Sequence, residues 1–187
     1  MTPSVKRVAA GLAAGWLLSA GAALADDSTQ VFGWVEKAEL KPWDIKVKAK
    51  LDSGALTSSI DARDIETFTK DDEDWVRFRF EMEDEDSGET ASEEVERPLY
   101  RSLTVRGAGG RDERPVVLLN LCVGDTVYEE QFSLRDRGEM FYPVLLGRRT
   151  IGHLGHLDVS KTFIQDPACG EDAEFVEHEP EEDRDDD

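Results

Sequence analysis

The stretch that decides the fold is Lys50-Leu-Asp-Ser-Gly-Ala-Leu-Thr-Ser-Ser-Ile60. The residues just before it, 45–51, alternate between apolar side chains and lysines, which is typical of a strand with one buried face. This strand runs directly into Asp52, and Gly54 two positions later allows the backbone to turn sharply. Taken alone, Asp-Ser-Gly is a common turn, and a structural role is its simplest interpretation.

A second element lies far downstream of this turn, where Leu145 and Leu146 are followed by Gly147 and Arg148. Between the two elements, a glycine-rich turn at residues 107–110 separates two apolar runs. A mobile tip on such a hairpin can serve as a lid over a binding site. The chain order is therefore Asp-Ser-Gly, glycine hairpin, paired strands, Leu-Leu-Gly-Arg and a closing strand.

The rest of the chain is a series of short predicted strands separated by glycine and charged turns. They lie at residues 31–35, 45–51, 75–80, 101–105, 116–123, 126–132, 144–146 and 157–164. Gly124-Asp125 predicts a tight hairpin between two of them. Residues 61–68 and 150–155 are candidates for one or two short helices. The spacing predicts an all-β domain with barrel-like strand spacing.

At this point the chain resembles the retropepsins, single-domain aspartic proteases typified by retroviral protease. Asp52-Ser53-Gly54-Ala55 matches their catalytic loop, residues 107–110 resemble their flap tip, and residues 145–148 match their hydrophobic-hydrophobic-Gly-Arg element. The chain is more closely similar to a bacterial family formerly labelled ATP-dependent zinc protease and since reclassified as retropepsin-like. That similarity covers roughly residues 31–164 and includes residues 49–59, 114–117, 132–137 and 145–148.

The resemblance implies a closed β-barrel of the acid protease fold with a flap hairpin, and it implies a role for each matched residue. Asp52 would be catalytic, and the other implied residues are Ser53, Gly54 and Ala55 in the active-site loop, Gly107, Ala108, Gly109 and Gly110 in the flap, and Leu145, Leu146, Gly147 and Arg148 as structural support. The retroviral pattern has an acidic partner for its arginine soon after the catalytic triplet. Here Leu56 and Thr57 occupy that stretch, so Arg148 is expected to pair with Asp61 or Asp64.

One catalytic aspartate per chain is half of an aspartic protease site, because hydrolysis needs two carboxylates that share one proton. The implied function is therefore an exported endopeptidase that acts on a peptide or protein substrate as a symmetric homodimer. The alternative is a non-catalytic periplasmic peptide-binding or adaptor domain on the same fold, which would hold an extended strand by β-augmentation.

The older label of this family predicts ATP and zinc, and the sequence argues against both. A phosphate loop would end in Gly-Lys-Ser/Thr, and the chain has no such motif. Its histidines are His153, His156 and His178, and no convincing third ligand accompanies the His153–His156 pair. We therefore expect no cofactor and no metal.

The composition excludes other partners. The 187 residues include 22 Lys+Arg against 42 Asp+Glu, for a net charge of −20. This length suits one domain, and the charge argues against nucleic-acid partners and anionic lipid surfaces, both of which need cationic patches. For a peptide substrate, the net charge by itself would steer cationic sequences toward the protein.

Two acidic runs stand apart from the predicted strands. Residues 71–96 hold thirteen acidic residues, and residues 171–187 hold eleven. Within the first run, residues 82–95 predict a solvated hairpin loop or an insertion, and the acidic insertion as a whole is expected at about residues 66–98 of a domain that spans residues 26–170. The second has too few apolar residues to fold and predicts a disordered tail.

The N-terminus has the pattern of a cleavable signal peptide over residues 1–25, with Lys6 and Arg7 before an apolar stretch and Ala23-Leu24-Ala25 as the cleavage site. The apolar stretch is short for an uncleaved anchor. Cleavage after Ala25 removes two positive charges, takes the net charge from −20 to −22, and predicts a periplasmic or secreted protein. In that compartment Cys122 and Cys169 either form a disulfide or remain a buried apolar residue and a free thiol.

Overall fold

A computed structural model of the chain describes residues 30–107, 110–138 and 140–180. The predicted signal peptide, the flap-tip residues Ala108 and Gly109, and residues 181–187 lie outside the described residues. The described part consists mostly of strands with one short helix, which confirms the all-β class. Within it, no helix has the length and apolar character that a membrane crossing requires.

The strands and the helix follow one another along the chain in an order that alternates hairpins with longer connections. They are β1 (Val31–Gly33), β2 (Val35–Lys41), β3 (Ile45–Asp52), β4 (Ser58–Asp61), β5 (Arg63–Lys70), β6 (Glu73–Glu83), β7 (Thr90–Pro98), β8 (Arg101–Gly107), β9 (Gly110–Val123), β10 (Thr126–Arg135), β11 (Val144–Gly147), α1 (Arg148–Leu154), β12 (His156–Asp158) and β13 (Glu174–Val176). The helix confirms one predicted helical segment, and the turn at Gly124 confirms the predicted hairpin.

Eight strands form the main sheet in the order β13-β10-β4-β11-β3-β2-β9-β8, and β9 also pairs with β10. The alternation in β3 explains its place in the interior of this sheet. Its apolar residues are buried, whereas its lysines are partly exposed, as expected of a strand with one face on the core. The core beneath it includes Phe32, Leu40, Phe132 and Leu146.

The centre of the main sheet carries the arrangement that positions the site. Strand β11 lies between β3 and β4, parallel to β3 and antiparallel to β4. Although Asp52 and Gly147 are far apart in sequence, this register places them side by side at the end of their strands. The Asp-Ser-Gly turn and the Leu-Leu-Gly-Arg element therefore meet in space.

The acidic segment forms a second sheet of three strands, β5-β6-β7. Two predictions were wrong here: residues 61–68 form strand rather than helix, and most of residues 82–95 belong to paired strands rather than to a loop. The reason is that Val76, Phe78, Phe80 and Met82 occupy one buried face of β6. The acidic residues occupy the solvent face and conceal this alternation in the sequence.

The strand boundaries differ from the predicted ones in other places. Strands β2 and β4 were not predicted, because their buried polar residues, such as Glu36 and Ser58, interrupt the apolar pattern. The predicted strand at residues 157–164 is reduced to β12, a three-residue strand that pairs in parallel with β1.

Part of the C-terminal segment, residues 174–176, forms a strand where the sequence predicted a disordered tail. Cys122 and Cys169 form a disulfide with a Cα–Cα distance of 6.0 Å, which decides between the two alternatives for these residues. Strand β13 then pairs in parallel with β10. The prediction was wrong for residues 174–176 because backbone hydrogen bonds to a strand edge do not require apolar side chains, and the nearby disulfide brings the segment to that edge.

Candidate active site

The catalytic loop predicted from the sequence forms a tight turn at the end of β3. Asp52 Oδ1 accepts a hydrogen bond from the Gly54 N–H at 3.0 Å, and the Ala55 N–H donates to the Asp52 carbonyl at 3.1 Å. The Asp52 side chain is 30% exposed. Its carboxylate is therefore held in a defined orientation and remains accessible to solvent.

A lysine on the same strand forms an ion pair with this carboxylate. Lys50 Nζ lies 3.2 Å from Asp52 Oδ2. Burial raises the pKa of Asp52, but the Lys50 ammonium and the Gly54 N–H together outweigh it, so that the pKa lies below its usual value. In a single chain Asp52 is consequently ionised at neutral pH.

Gly147 packs directly against the back of the catalytic loop. A Cβ atom at this position would lie 2.7 Å from both the Leu56 carbonyl oxygen and the Thr57 carbonyl carbon. The next residue continues this contact, because the Arg148 N–H donates to the Ala55 carbonyl at 2.8 Å. The end of the Leu145–Gly147 strand thus contacts the loop through the backbone.

The expected ion pair of Arg148 does not form with either predicted partner. The Arg148 side chain is exposed. Asp61 instead accepts a hydrogen bond from the Arg137 backbone N–H, and Asp64 pairs with Arg79 at 2.8 Å. The prediction was wrong because residues 61 and 64 lie on β4 and β5, where nearer arginines are available.

A cavity of about 850 Å³ adjoins the loop and contains six arginines and no acidic residue among its described lining residues. The arginines are Arg101, Arg106, Arg114, Arg135, Arg137 and Arg149. Gly54, Ala55, Leu56 and Thr57 of the catalytic loop form one wall, whereas Asp52 itself is outside the lining of the cavity in a single chain. We call this cavity the arginine groove.

The predicted flap forms another wall of the arginine groove. Strands β8 and β9 pair up to Gly107 and Gly110, which face each other at the end of the hairpin. Leu103 and Val105 on β8 line the groove. The hairpin therefore lies beside the predicted catalytic loop, and its predicted tip at Ala108 and Gly109 lies outside the described residues.

Neutral groups position two of the groove arginines. The Arg101 guanidinium donates to Gln131 Oε1 at 2.7 Å and to Thr57 Oγ1 at 3.0 Å. Arg137 is 8% exposed and donates to Ser59 Oγ at 3.0 Å. Burial lowers the pKa of Arg137, and the positive charge of Arg135 adds to this effect.

The charge of this groove corrects an expectation from the composition. The net charge of −20 suggested that cationic peptides would be drawn to the protein. The groove beside the catalytic loop is positive instead. Net charge reports the whole surface, whereas a concave site focuses the field of the residues that line it.

Comparison with known proteins identifies the family. A family model described as RimB-like, retropepsin-like aspartic endopeptidase RimB, matches residues 31–168. The chain belongs to the RimB-like family. This confirms the resemblance that the catalytic loop, flap and Leu-Leu-Gly-Arg element indicated.

Proteins similar to this RimB-like chain include longer proteins and a protein of solved structure. A probable alpha-L-glutamate ligase of Shewanella pealeana is 30% identical over 118 residues, which are 63% of this chain and 25% of that protein. A protein of the same name from Desulfotalea psychrophila is 33% identical over 106 residues, or 56% of this chain and 22% of that protein. The chain thus spans about a quarter of the length of these curated relatives.

The solved structure is that of a Legionella pneumophila protein of unknown function. It is 31% identical to this RimB-like chain, with a TM-score of 0.63, and the match covers 74% of this chain and 100% of that one. The uncovered part of this chain is therefore additional to the region that the two proteins share.

Behind the loop, the RimB-like chain has a buried polar network that the sequence did not reveal. Glu130 accepts a hydrogen bond from Thr150 Oγ1 at 3.0 Å and lies 2.6 Å from His153 Nδ1. Thr150 in turn contacts Ser58 Oγ at 2.7 Å, and Ser58 Oγ accepts from the Gly147 N–H at 3.0 Å. These bonds connect β10 and α1 to the glycine that supports the catalytic loop.

Within the described residues, no group of three metal-ligating side chains occurs. His153 and His178 lie in different settings. His153 contacts Glu130. His178 lies against Gln131 and Tyr100, with its Nε2 atom 3.2 Å from Gln131 Nε2 and 3.0 Å from the Tyr100 hydroxyl oxygen.

Sequence reasoning also missed the groove arginines of this RimB-like chain as a group. A signal was present, because Arg135, Arg137, Arg148 and Arg149 cluster around the Leu-Leu-Gly-Arg element in an otherwise acidic chain. Arg101 and Arg106 come from the flap strand, and only the fold brings them to the same cavity.

Proposed function

We propose that the protein is an aspartic endopeptidase whose active site forms when two chains bring their Asp52 carboxylates together. The observation that carries the proposal is the position of Asp52, which is ordered, partly exposed and ionised in a turn beside the arginine groove and the flap hairpin. A single chain supplies one carboxylate, so a symmetric homodimer supplies the pair.

In such a pair, the two carboxylates share one proton because two like charges this close do not both ionise. The ionised member takes a proton from a water molecule, which attacks the scissile carbonyl carbon, while the protonated member donates a hydrogen bond to the carbonyl oxygen. The amine leaves with a proton, and the pair titrates as a unit with two macroscopic pKa values. The flap hairpin would exclude bulk water from the groove.

We infer further that the substrate peptide carries acidic side chains. The groove presents six arginines beside the catalytic loop, and guanidinium groups recognise carboxylates through paired, charge-assisted hydrogen bonds. The names of the curated relatives also concern glutamate, which agrees with this charge preference.

One observation favours a second candidate, a peptide-binding domain without catalysis. Lys50 lies 3.2 Å from Asp52, and an ammonium group in that position lowers the basicity of the carboxylate that hydrolysis needs. In this alternative the arginine groove binds an acidic peptide, and Asp52 has a purely structural role in its turn.

Cleavage of a fluorogenic acidic peptide by the protein lacking residues 1–25 separates the two candidates. Asp52→Asn is expected to lower the cleavage rate on the order of 10³-fold, because a general base is lost, whereas Asp71→Asn on the second sheet retains full activity. Equal cleavage by wild type and Asp52→Asn would exclude the enzyme.

Mixing the two forms tests the shared site. If each active site needs two Asp52 residues, replacing wild-type chains by Asp52→Asn chains at constant total protein concentration lowers activity as the square of the wild-type fraction, once chains have exchanged. Activity that falls in direct proportion to the wild-type fraction would show that one chain is sufficient. Analytical ultracentrifugation of the same mixtures checks that dimers form.

A further inference from the structure

The C-terminal segment of the chain approaches the arginine groove. After the Cys122–Cys169 disulfide, strand β13 runs parallel to β10, with Glu174 opposite Thr126 and Val176 opposite Tyr128. Because the pairing is parallel, the segment advances along β10 toward Arg135, which lines the groove. We call residues 169–180 the C-terminal strap.

The strap has to leave the sheet at the edge of the groove. From Phe132 onward the same edge of β10 pairs with β4, beginning with the Phe132–Ser58 register. His178 is the last strap residue with described side-chain contacts to the sheet, and it lies against Gln131 and Tyr100. The chain beyond His178 therefore emerges beside the start of β4.

The exit point of the strap adjoins the groove itself. A small cavity next to His178 is lined by Thr57 and Arg149, and both of these residues also line the arginine groove. Arg101, another groove residue, contacts the same Gln131 that His178 contacts. A chain that leaves the sheet here meets the positive groove within a few residues.

The sequence that follows has the opposite charge to the groove. Residues 179–187 read Glu-Pro-Glu-Glu-Asp-Arg-Asp-Asp-Asp, with seven acidic residues and one arginine. Seven extended residues after Pro180 reach about 23 Å, which is enough to run along a cavity of this size. The family match ends at residue 168, so both strap and acidic segment are additional to the RimB-like domain.

We propose that residues 179–187 occupy the arginine groove of their own chain and compete with acidic peptides for it. The proposal rests on the proposed function only in that both use the groove to bind acidic peptides. The strap keeps the acidic segment next to the groove, so its effective concentration is in the millimolar range expected of a short tether. Even a weak contact is then enough to reduce access to the site.

The test measures binding without cleavage, in chains that carry Asp52→Asn and lack residues 1–25. The probe is a fluorescein-labelled peptide of residues 179–187, and its Kd is read by fluorescence anisotropy. Glu181→Gln/Glu182→Gln/Asp183→Asn is expected to tighten probe binding at least about tenfold, because the tethered competitor is weakened. A chain shortened after Pro180 should bind the probe at least as tightly.

Two controls make the result specific. Asp71→Asn/Asp72→Asn/Glu73→Gln removes three exposed acidic residues from the second sheet and should leave the Kd unchanged. In the shortened chain, Arg106→Gln should weaken binding if the probe occupies the groove.

Equal probe affinity in the full and shortened chains, or the same gain in the control triple variant, would overturn the proposal. So would a shortened chain that does not bind the probe. Because every protein in this test is inactive, its outcome is independent of whether Asp52 proves to be catalytic.

Discussion

The two larger sheets of the described chain differ in how their charges are arranged. The β5–β7 sheet spans residues 63–98, in which fifteen acidic residues accompany five basic ones. The central strand of this sheet, β6, carries two arginines that are paired with carboxylates: Arg77 with Glu96 at 2.7 Å and Arg79 with Asp64 at 2.8 Å. The main sheet and the segments that follow its strands instead direct six arginines into one cavity without an acidic residue in its described lining. One of these arginines, Arg114, also pairs with Asp112 at 2.7 Å.

The two arrangements of charge have different physical consequences. Paired charges on an exposed sheet contribute little to stability and present a mixed surface to a partner. Arginines positioned by neutral groups, such as Arg137 by Ser59, keep a field of one sign inside a concave wall. The strongly negative net charge therefore describes the outside of the molecule, and the candidate site has the reverse sign.

The largest effect on stability is expected from Gly147→Ala in the main sheet, which is compared with a matched glycine substitution on the acidic sheet. Gly147→Ala would place a methyl group 2.7 Å from backbone atoms of residues 56 and 57. This overpacking should lower the free energy of unfolding by about 3 kcal/mol and displace the catalytic loop. Urea unfolding monitored by tryptophan fluorescence measures the loss.

The matched change on the acidic sheet is Gly88→Ala in the β6–β7 turn. Gly88 has a φ of +68° and open space around its Cβ position, so only the backbone conformation is penalised, by about 1 kcal/mol. If the two alanine variants were equally stable, the close contact between Gly147 and the loop would be contradicted.

A pair of double variants tests whether the two sets of arginines differ in function. Arg106→Gln/Arg135→Gln should lower kcat/KM for an acidic peptide about tenfold, since substrate attraction in the groove is weakened. Arg77→Gln/Arg79→Gln on the acidic sheet should leave kcat/KM unchanged. The difference should shrink in high salt, and equal losses in both variants would indicate a general charge effect rather than a recognition groove.

The smallest effect on stability is expected at Asp84, which links the acidic sheet to the main sheet through hydrogen bonds. Asp84 accepts hydrogen bonds from the backbone N–H groups of Ser87 at 2.8 Å and Lys46 at 2.9 Å, the latter on β3 of the main sheet. These bonds lower the pKa of Asp84 to about 2. A lowered pKa means that Asp84 stabilises the fold fully above the ordinary value near 3.8 and loses this contribution as the pH falls toward 2.

Asp84→Ala should therefore lower the free energy of unfolding by about 1–2 kcal/mol at pH 7, after allowance for solvent screening. The difference from wild type should narrow at pH 3. Denaturant unfolding at both pH values checks this, with the exposed neighbour change Glu83→Ala as control. A difference that grows as the pH falls would contradict the proposed hydrogen bonds.

The parts of the fold that the sequence predicted well are those with strong local patterns. The alternation in β3, the Gly124 turn and the short helix are all local features, and each was confirmed. Strand β6 shows the limit of this reasoning. The sequence predicted a strand only at residues 75–80, whereas the strand continues through Met82 and pairs with β7 within an acidic run. The acidic residues indicated that one face of this strand is exposed to solvent, but they did not indicate that the other face is buried.

The same limit applies to the candidate site. Asp52 and the Leu-Leu-Gly-Arg element were recognisable because each is a compact motif. Ser58, Glu130 and Thr150 carried no motif, although they connect distant segments to Gly147 behind the catalytic loop. Buried polar residues of this kind are satisfied by partners that only the folded chain supplies.

The sequence by itself determined the all-β class, the family resemblance and the turn that carries Asp52, because period-two alternation and a glycine after a strand act over a few residues. Only the tertiary structure decided that arginines from β8, β9, β10 and the start of α1 converge on one groove, and that the C-terminal strap ends beside it. These positions depend on strand pairings between residues far apart in the chain, such as Gly147 with Asp52. No local pattern encodes such a register, since it arises from the packing of the whole sheet.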